Sequence, residues 1–132
     1  MAKILIIDDD SIVVFVQQKI LQKCGVSYEP LAFKDAREGL NYLQDESNEE
    51  KDYLIFLDIN MPSLSGWEFL EKLEKFEESD KIKVIMVTSS IDSYDKKKSV
   101  DYKNVFDFIE KPITVERCNE LRAKEDLSKF FK

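Results

Sequence analysis

The sequence predicts an α/β fold: a three-layer, doubly wound sandwich in which a five-stranded parallel sheet is covered on both faces by five helices. Short apolar runs alternate along the chain with longer segments whose apolar residues recur every three or four positions. Four of the five runs are strongly apolar, as strands buried on both faces of a parallel sheet are. The 132 residues suit one domain, and we expect a single domain over 1–132 with no effector domain.

The predicted elements follow one another in strict alternation. Strands are predicted at residues 3–7, 27–33, 53–57, 82–87 and 105–109. Helices are predicted over 11–24, after Asp35, after Gly66, weakly over 92–102, and after Thr114. Pro30 interrupts the second strand, which is typical of an edge position.

Two helix ends and one helix face carry more detailed expectations. Gly25 is placed to end the first helix, and Asp35 and Thr114 are placed to cap later ones. Four residues of the first helix share a predicted apolar face: Val13, Val16, Ile20 and Cys24. Cys24 and Cys118 are isolated thiols outside any C-x-x-C spacing, so we expect two buried structural cysteines.

Composition and charge exclude several functions. The chain carries 20 basic and 27 acidic side chains, a net charge of −7, and no histidine. An acidic surface disfavours nucleic-acid binding, which needs clustered Lys and Arg to neutralise phosphates. The missing histidine excludes Ser-His-Asp and Cys-His catalysis and any imidazole metal site. No apolar run approaches the roughly 20 residues of a membrane span, and we expect a cytoplasmic protein.

Polar side chains end four of the five predicted strands. They are Asp8 and Asp9, then Asp58, then Thr88, then Lys111. In a parallel sheet the carboxyl ends of the strands share one edge, where ligands bind. Two carboxylates about 5 Å apart repel by about 3 kcal/mol at an effective dielectric constant near 20, so converging carboxylates need a proton or a cation. Hard oxygen ligands without His or Cys favour Mg²⁺, and a metal facing a lysine and a hydroxyl suits phosphoryl transfer. Taken singly, each residue has an ordinary explanation, such as a helix cap for the segment 8–11.

Taken together, these residues stand in a pattern that resembles the receiver domain of two-component response regulators. The matching segments are Ile4–Asp10, Leu57–Pro62 with Gly66 after it, Val87–Ser90, and Phe108–Pro112. The resemblance covers essentially the whole chain, and it implies a flavodoxin-like sheet with strand order 2-1-3-4-5.

The resemblance also implies a role for each site residue. Asp58 is implied as the phosphoacceptor, contacted by Lys111 and, after phosphorylation, by the Thr88 hydroxyl. Mg²⁺, with Mn²⁺ as an alternative, is implied to bind Asp9, Asp58 and the Asn60 backbone carbonyl, with Asp8 acting mainly through water. Phe108 is implied as the switch aromatic that fills the space vacated by Thr88, and ordinary core packing of Phe108 stays an alternative. The Lys111–Pro112 peptide is implied to be cis.

The implied partners are proteins. The resemblance implies a histidine kinase or histidine phosphotransfer protein as phosphodonor. Its implied output is a downstream protein bound through the fourth predicted helix, the fifth strand and the fifth helix. We expect a monomer or a weak phosphorylation-dependent dimer. Lys96–Lys98 and the pair Phe130–Phe131 lie in this region, with a solvated lysine face and local packing as the alternatives.

Two departures and two rival functions stay open. Ser65 stands where an acidic residue often precedes the glycine, and the turn Tyr102–Asn104 replaces a common Gly-Ala turn, which leaves the loop geometry open. One rival is a haloacid-dehalogenase-like phosphatase that uses Asp8 as its nucleophile, with Asp10, Thr88 and Lys111. The other is a pseudo-receiver that acts only as an interaction module.

Overall fold

The architecture is the predicted three-layer sandwich. The computed structural model describes residues 2–27, 29–46, 52–59, 61, 64–76, 81–89, 97–98 and 100–131. The strands are β1 Ala2–Ile7, β2 Leu31–Phe33, β3 Asp52–Asp58, β4 Ile82–Thr88 and β5 Val105–Glu110. The helices within the described ranges are α1 Ser11–Lys23, α2 Ala36–Glu46, α3 Gly66–Leu73, α4 Val115–Arg122 and a 3-10 helix Glu125–Phe130. Most of the helix predicted over 92–102 lies outside these ranges; residues 97 and 98 are helical.

The sheet is entirely parallel, and its strand order is β2-β1-β3-β4-β5, as the resemblance implied. Strands β2 and β5 are therefore the edges. The chain first adds β2 on one side of β1 and then adds β3, β4 and β5 on the other side, and this change of side creates a crevice between the ends of β1 and β3 where ligands bind in such folds. The fold class is confirmed.

Two apolar layers sandwich the sheet, because successive side chains of a strand point to opposite faces. One face packs against α1, α4 and the 3-10 helix, through residues such as Ile6, Phe56 and Val87. The opposite face packs against α2 and α3, through residues such as Ile7, Leu57 and Met86. Among the described residues, no helix combines the length and the apolar character that crossing a bilayer requires.

The predicted apolar face of α1 was correct at Cys24, which is buried, and in part at Ile20, which packs half-buried against the core, but it was wrong in the first turns. Val14, Gln17, Leu21 and Cys24 are the buried residues, whereas Val16 is 37% exposed. The first turns of α1 are apolar on every side, so spacing alone fits two faces equally well. The polar Gln17 on the buried face concealed the correct choice.

The second strand is shorter than predicted, with only Leu31–Phe33 in the sheet. Pro30 has no backbone N–H to donate, which limits the ladder on its side. Val26 instead forms an isolated antiparallel bridge with Phe131, and Ser27 N donates to Phe130 O over 2.9 Å. Local packing of the terminal Phe pair is thus confirmed, since both rings are buried.

The thiol and capping predictions are confirmed. Cys24 and Cys118 are free and buried. Burial, and then contact with the Cys24 thiol, raises the pKa of Cys118 despite the nearby Arg122. Thr114 accepts a bond from Arg117 N over 3.1 Å, and Gly25 has a φ of 84°, the left-handed conformation that ends α1.

Candidate phosphoryl and metal site

The end of β1 places two carboxylates at the edge of the sheet. Asp8 is only 1% exposed, while Asp9 is exposed. Asp8 is fixed on both sides, because its N–H donates to Phe33 O over 3.0 Å and its Oδ1 accepts from Asp10 N over 2.9 Å. Asp10 does something different, since its Oδ1 caps α1 by accepting from Ile12 N over 2.9 Å. The three consecutive aspartates therefore differ in burial and in hydrogen bonding.

The end of β3 places Asp58 next to the start of α3. Asp58 is 5% exposed. Gly66 N donates to Ile59 O over 2.8 Å, and a Cβ added at Gly66 would lie 2.9 Å from both Asp58 O and Ile59 Cα. A glycine is needed at this position because the helix start touches the backbone that carries Asp58. Ser65 begins the helix with a capping box to Glu68, so the serine that departs from the family pattern has a structural role.

The ends of β4 and β5 complete the pocket. Thr88 is 2% exposed, and its carbonyl accepts a bond from Lys111 N over 2.6 Å. The Lys111–Pro112 peptide is cis, as the resemblance implied. Lys111 extends back over the edge of the sheet toward β1 and β3.

Lys111 joins the two buried carboxylates. Its Nζ lies 2.8 Å from Asp8 Oδ2 and 3.5 Å from Asp58 Oδ1. Burial alone lowers the pKa of Lys111, but the hydrogen bond to Asp8 and the charges of Asp58 and Asp8 outweigh it, so its pKa is raised. The lysine is therefore a fixed cation, available to a second anion that enters the pocket.

Asp8, Asp9 and Asp58 together fit a divalent cation. Each offers a carboxylate oxygen, and these oxygens all lie within 4.8 Å of one another. Lys111 neutralises one of the three negative charges, so an excess of about two remains. Carboxylate oxygens this close together, with no His or Cys among them, are the hard ligands that Mg²⁺ or Mn²⁺ would take.

Phe108 lies on the same sheet face as Thr88. The register pairs Met86 with Phe108 and Thr88 with Glu110, so Thr88 and Phe108 are diagonal neighbours on adjacent strands. The Phe108 ring is 8% exposed and belongs to the apolar layer under α2 and α3. This position is compatible with both interpretations of Phe108, as the switch aromatic and as an ordinary residue of the core.

Two contributions near β5 were missed by the sequence reasoning. Arg117 Nη2 donates to Phe108 O over 3.1 Å and lies 3.3 Å from Asp107 Oδ2, so it ties the edge strand to α4. Asn104 is buried in the turn that departs from the common pattern. Its side-chain Nδ2 donates to Ile82 O over 3.0 Å, and its backbone carbonyl accepts from Val84 N over 2.8 Å. No local sequence pattern predicts either contact, because the two partners of each contact are separated along the chain.

Asn60, assigned to the metal by the resemblance, lies outside the described residues.

Comparison with known proteins agrees with this geometry. Hybrid signal transduction histidine kinase L of Dictyostelium discoideum is 29% identical over 94% of this chain, which spans only 7% of that protein. Protein PilH of Pseudomonas aeruginosa is 31% identical over 73% of this chain and 74% of its own length. A two-component response regulator from Cytophaga hutchinsonii superposes with a TM-score of 0.82 at 27% identity, over 91% of this chain and 92% of that one. The sequence model of the response regulator receiver domain matches residues 4–122. The chain therefore belongs to the response regulator receiver domain family.

Proposed function

We propose that this receiver accepts a phosphoryl group on Asp58 from the phosphohistidine of a kinase or phosphotransfer protein, and that Mg²⁺ is required. The observation that carries the proposal is the placement of Lys111 between the buried carboxylates of Asp8 and Asp58. A nucleophile, a fixed cation and a set of metal ligands thereby share one pocket at the edge of the sheet.

The chain's own residues suit each part of the transfer. An Asp58 oxygen attacks phosphorus; the new P–O bond forms as the P–N bond to the donor imidazole breaks, and the electron pair returns to the imidazole. Lys111 Nζ, 3.5 Å from Asp58 Oδ1, is placed to bind a phosphoryl oxygen. A Mg²⁺ held by Asp8, Asp9 and Asp58, with Asn60 assigned by the resemblance, would neutralise negative charge on the transferring group.

The switch would use Thr88 and Phe108. A bound phosphoryl group adds up to two negative charges and three acceptor oxygens beside the end of β4. The Thr88 hydroxyl is the donor that can turn toward it, and movement of Thr88 changes the space next to Phe108 on the same face. Phe has no hydroxyl to satisfy, so its ring stays buried without a hydrogen-bond partner. This burial supports an inward ring as the favoured state.

The output would pass through the segment 92–102, β5 and α4. The described part of this face presents Arg117, which bonds Asp107 and Glu120, and a Lys124 ammonium over the Phe106 ring at 5.9 Å. These charged groups at an edge strand suit a polar, reversible contact with a protein. We propose a monomer or a weak phosphorylation-dependent dimer in the cytoplasm.

Phosphoryl incorporation tests the proposal. The purified chain is incubated with acetyl phosphate, with Mg²⁺ or with a chelator, and its intact mass is measured. We expect one acid-labile phosphoryl group with Mg²⁺ and none with the chelator, and we expect Asp58→Asn to abolish incorporation. Asp52→Asn is the matched control, because Asp52 lies at the opposite end of the same strand. Equal incorporation into wild type and Asp58→Asn would contradict the proposal.

A further inference from the structure

We infer that a latch formed by Trp67, Lys98 and Tyr102 carries the state of the Asp58 site to the segment 97–103, by a route separate from Thr88 and Phe108. The inference rests on the proposed function, since phosphorylation of Asp58 is the event that the latch would report. Its geometric basis is a continuous set of contacts from the backbone of β3, through α3, to the start of β5.

The latch itself is an aromatic stack with a cation. The rings of Trp67 and Tyr102 are 5.7 Å apart between centroids at an interplanar angle of 26°. Lys98 Nζ lies 4.8 Å from the centroid of the Trp67 ring. Stacking and cation–π contacts both depend steeply on ring position, so a small shift of Trp67 weakens both. Residues on both sides of the turn before β5 are therefore held through one side chain of α3.

Two further contacts hold the same turn to the same face of α3. The Tyr102 hydroxyl lies 3.4 Å from Glu71 Oε1, and Lys103 N donates to Glu74 Oε1 over 3.2 Å. Positions 67 and 71 of α3 and position 74, its C-cap, are spaced by four and three, so they form one stripe along one side of the helix. Burial, and then the charges of Glu71 and Glu74, raise the pKa of Tyr102, so its hydroxyl stays protonated and donates. The stripe binds the turn as a unit.

The start of α3 is coupled to the backbone of the phosphoacceptor. Gly66 N donates a hydrogen bond to Ile59 O, and the backbone of Gly66 packs so closely against Asp58 O that even a Cβ would not fit between them. Displacement of the backbone at 58–59 must therefore move the first turn of α3, where Trp67 is the next residue. At the far end, Tyr102 O accepts from Val105 N, the first residue of β5, over 3.2 Å.

The direction of the effect follows from the state of the pocket. Lys111 is paired with Asp8 and Asp58 here, so the closed latch belongs to the unphosphorylated arrangement. Its stack and hydrogen bonds are formed in this arrangement, and a shift of α3 that separates the Trp67 and Tyr102 rings would loosen them. Phosphorylation is therefore expected to open the latch and free the segment 97–103.

The single tryptophan makes the latch directly observable. The full chain is treated with acetyl phosphate and Mg²⁺, and incorporation, Trp67 emission and amide exchange over 97–103 are measured on the same sample. On phosphorylation, we expect a red-shifted emission and about a fivefold or larger increase in exchange. In Tyr102→Leu, we expect the Trp67 emission to be red-shifted before phosphorylation. Phosphorylation of this variant is then expected to change the exchange over 97–103 by less than about twofold, with the same phosphoryl incorporation as in the wild type.

A matched control separates the latch from general effects of losing an aromatic ring. Tyr42 also has an aromatic neighbour, Phe33 at 5.4 Å, and a lysine over its ring, Lys3 at 5.1 Å, but it belongs to α2. Tyr42→Leu is expected to keep the wild-type response. Tyr102→Phe keeps the ring, loses the bond to Glu71, and is expected to respond at an intermediate level.

Three outcomes would overturn the inference. Full incorporation with unchanged emission and exchange in the wild type refutes the latch and leaves the proposed function intact. A wild-type response in every Tyr102 variant that folds also refutes the latch. Absence of incorporation in the wild type refutes the proposed function, and the latch with it.

Discussion

Substituting Gly66 by alanine should damage both stability and phosphoryl acceptance. The added Cβ would lie 2.9 Å from Asp58 O and 2.9 Å from Ile59 Cα, whereas ordinary contact begins at 3.4 Å. Both obstructing atoms are backbone, so a side-chain rotation cannot relieve the overlap. The strand end that carries Asp58 or the start of α3 must move by several tenths of an ångström.

The magnitude follows from two opposing effects. Overpacking of this kind costs about 1–3 kcal/mol. Replacing glycine by alanine inside a helix gains at most about 1 kcal/mol, and less at its first residue. The net expectation is that Gly66→Ala lowers the free energy of unfolding by about 0.5–2.5 kcal/mol and slows phosphorylation of Asp58, because its backbone is displaced.

Gly39→Ala is the matched control. Its Cβ would approach Ile7 Cδ1 to 2.6 Å, but that atom is the far end of a flexible side chain. Moving the Ile7 side chain off its preferred rotamer costs about 0.5–1.5 kcal/mol. The higher helix propensity of alanine within α2 offsets most of this cost, so the free energy of unfolding should stay within about 1 kcal/mol of wild type. Urea unfolding of both variants and their acetyl phosphate kinetics are the assays. The reasoning is refuted if Gly66→Ala is as stable as wild type, or if Gly39→Ala loses more stability than Gly66→Ala.

Three further predictions concern parts of the fold away from the site. Phe130→Ala should cost about 3–5 kcal/mol in urea unfolding, because the ring is 1% exposed; a loss below about 1 kcal/mol would show that the terminal segment is dispensable. Thr114→Ala should cost about 1 kcal/mol by removing the cap of α4, and Thr114→Ser should restore most of it. The raised pKa of Tyr102 predicts a stability contribution that is complete below the ordinary tyrosine value near 10 and is lost as pH rises through the higher folded-state pKa. Unfolding of wild type and Tyr102→Phe across alkaline pH measures this contribution, and parallel curves would contradict it.

The sheet and its functional edge could be predicted because they depend on local patterns. Continuous apolar runs located four of the strands to within one residue at each end, whereas only the last three residues of the second predicted strand lie in the sheet. The polar residues Asp8, Asp58 and Lys111 marked where strands end. A parallel topology brings those ends together whatever the side-chain packing. The cis peptide before Pro112 and the strand order came from the resemblance, since no local rule selects them.

The remainder depends on contacts between residues distant in sequence. The run of apolar residues at the start of α1 left its buried face undetermined, and only packing against β1 and α4 places Gln17 inside and Val16 at the surface. The terminal segment 125–131 has no strong helical pattern, yet it closes one apolar layer through Leu127 and Phe130. The tie between Arg117 and the carbonyl of Phe108 is likewise invisible in the sequence.

The most direct test of the central claim is the position of the phosphoryl group. The chain is phosphorylated with acetyl phosphate and Mg²⁺, the acyl phosphate is reduced with borohydride, and peptide mass spectrometry locates the homoserine that results. We predict homoserine at Asp58 alone, with Asp8 and Asp9 unmodified. Homoserine at Asp8, with labelling retained in Asp58→Asn, would contradict the account and favour a phosphatase-like nucleophile at the end of β1.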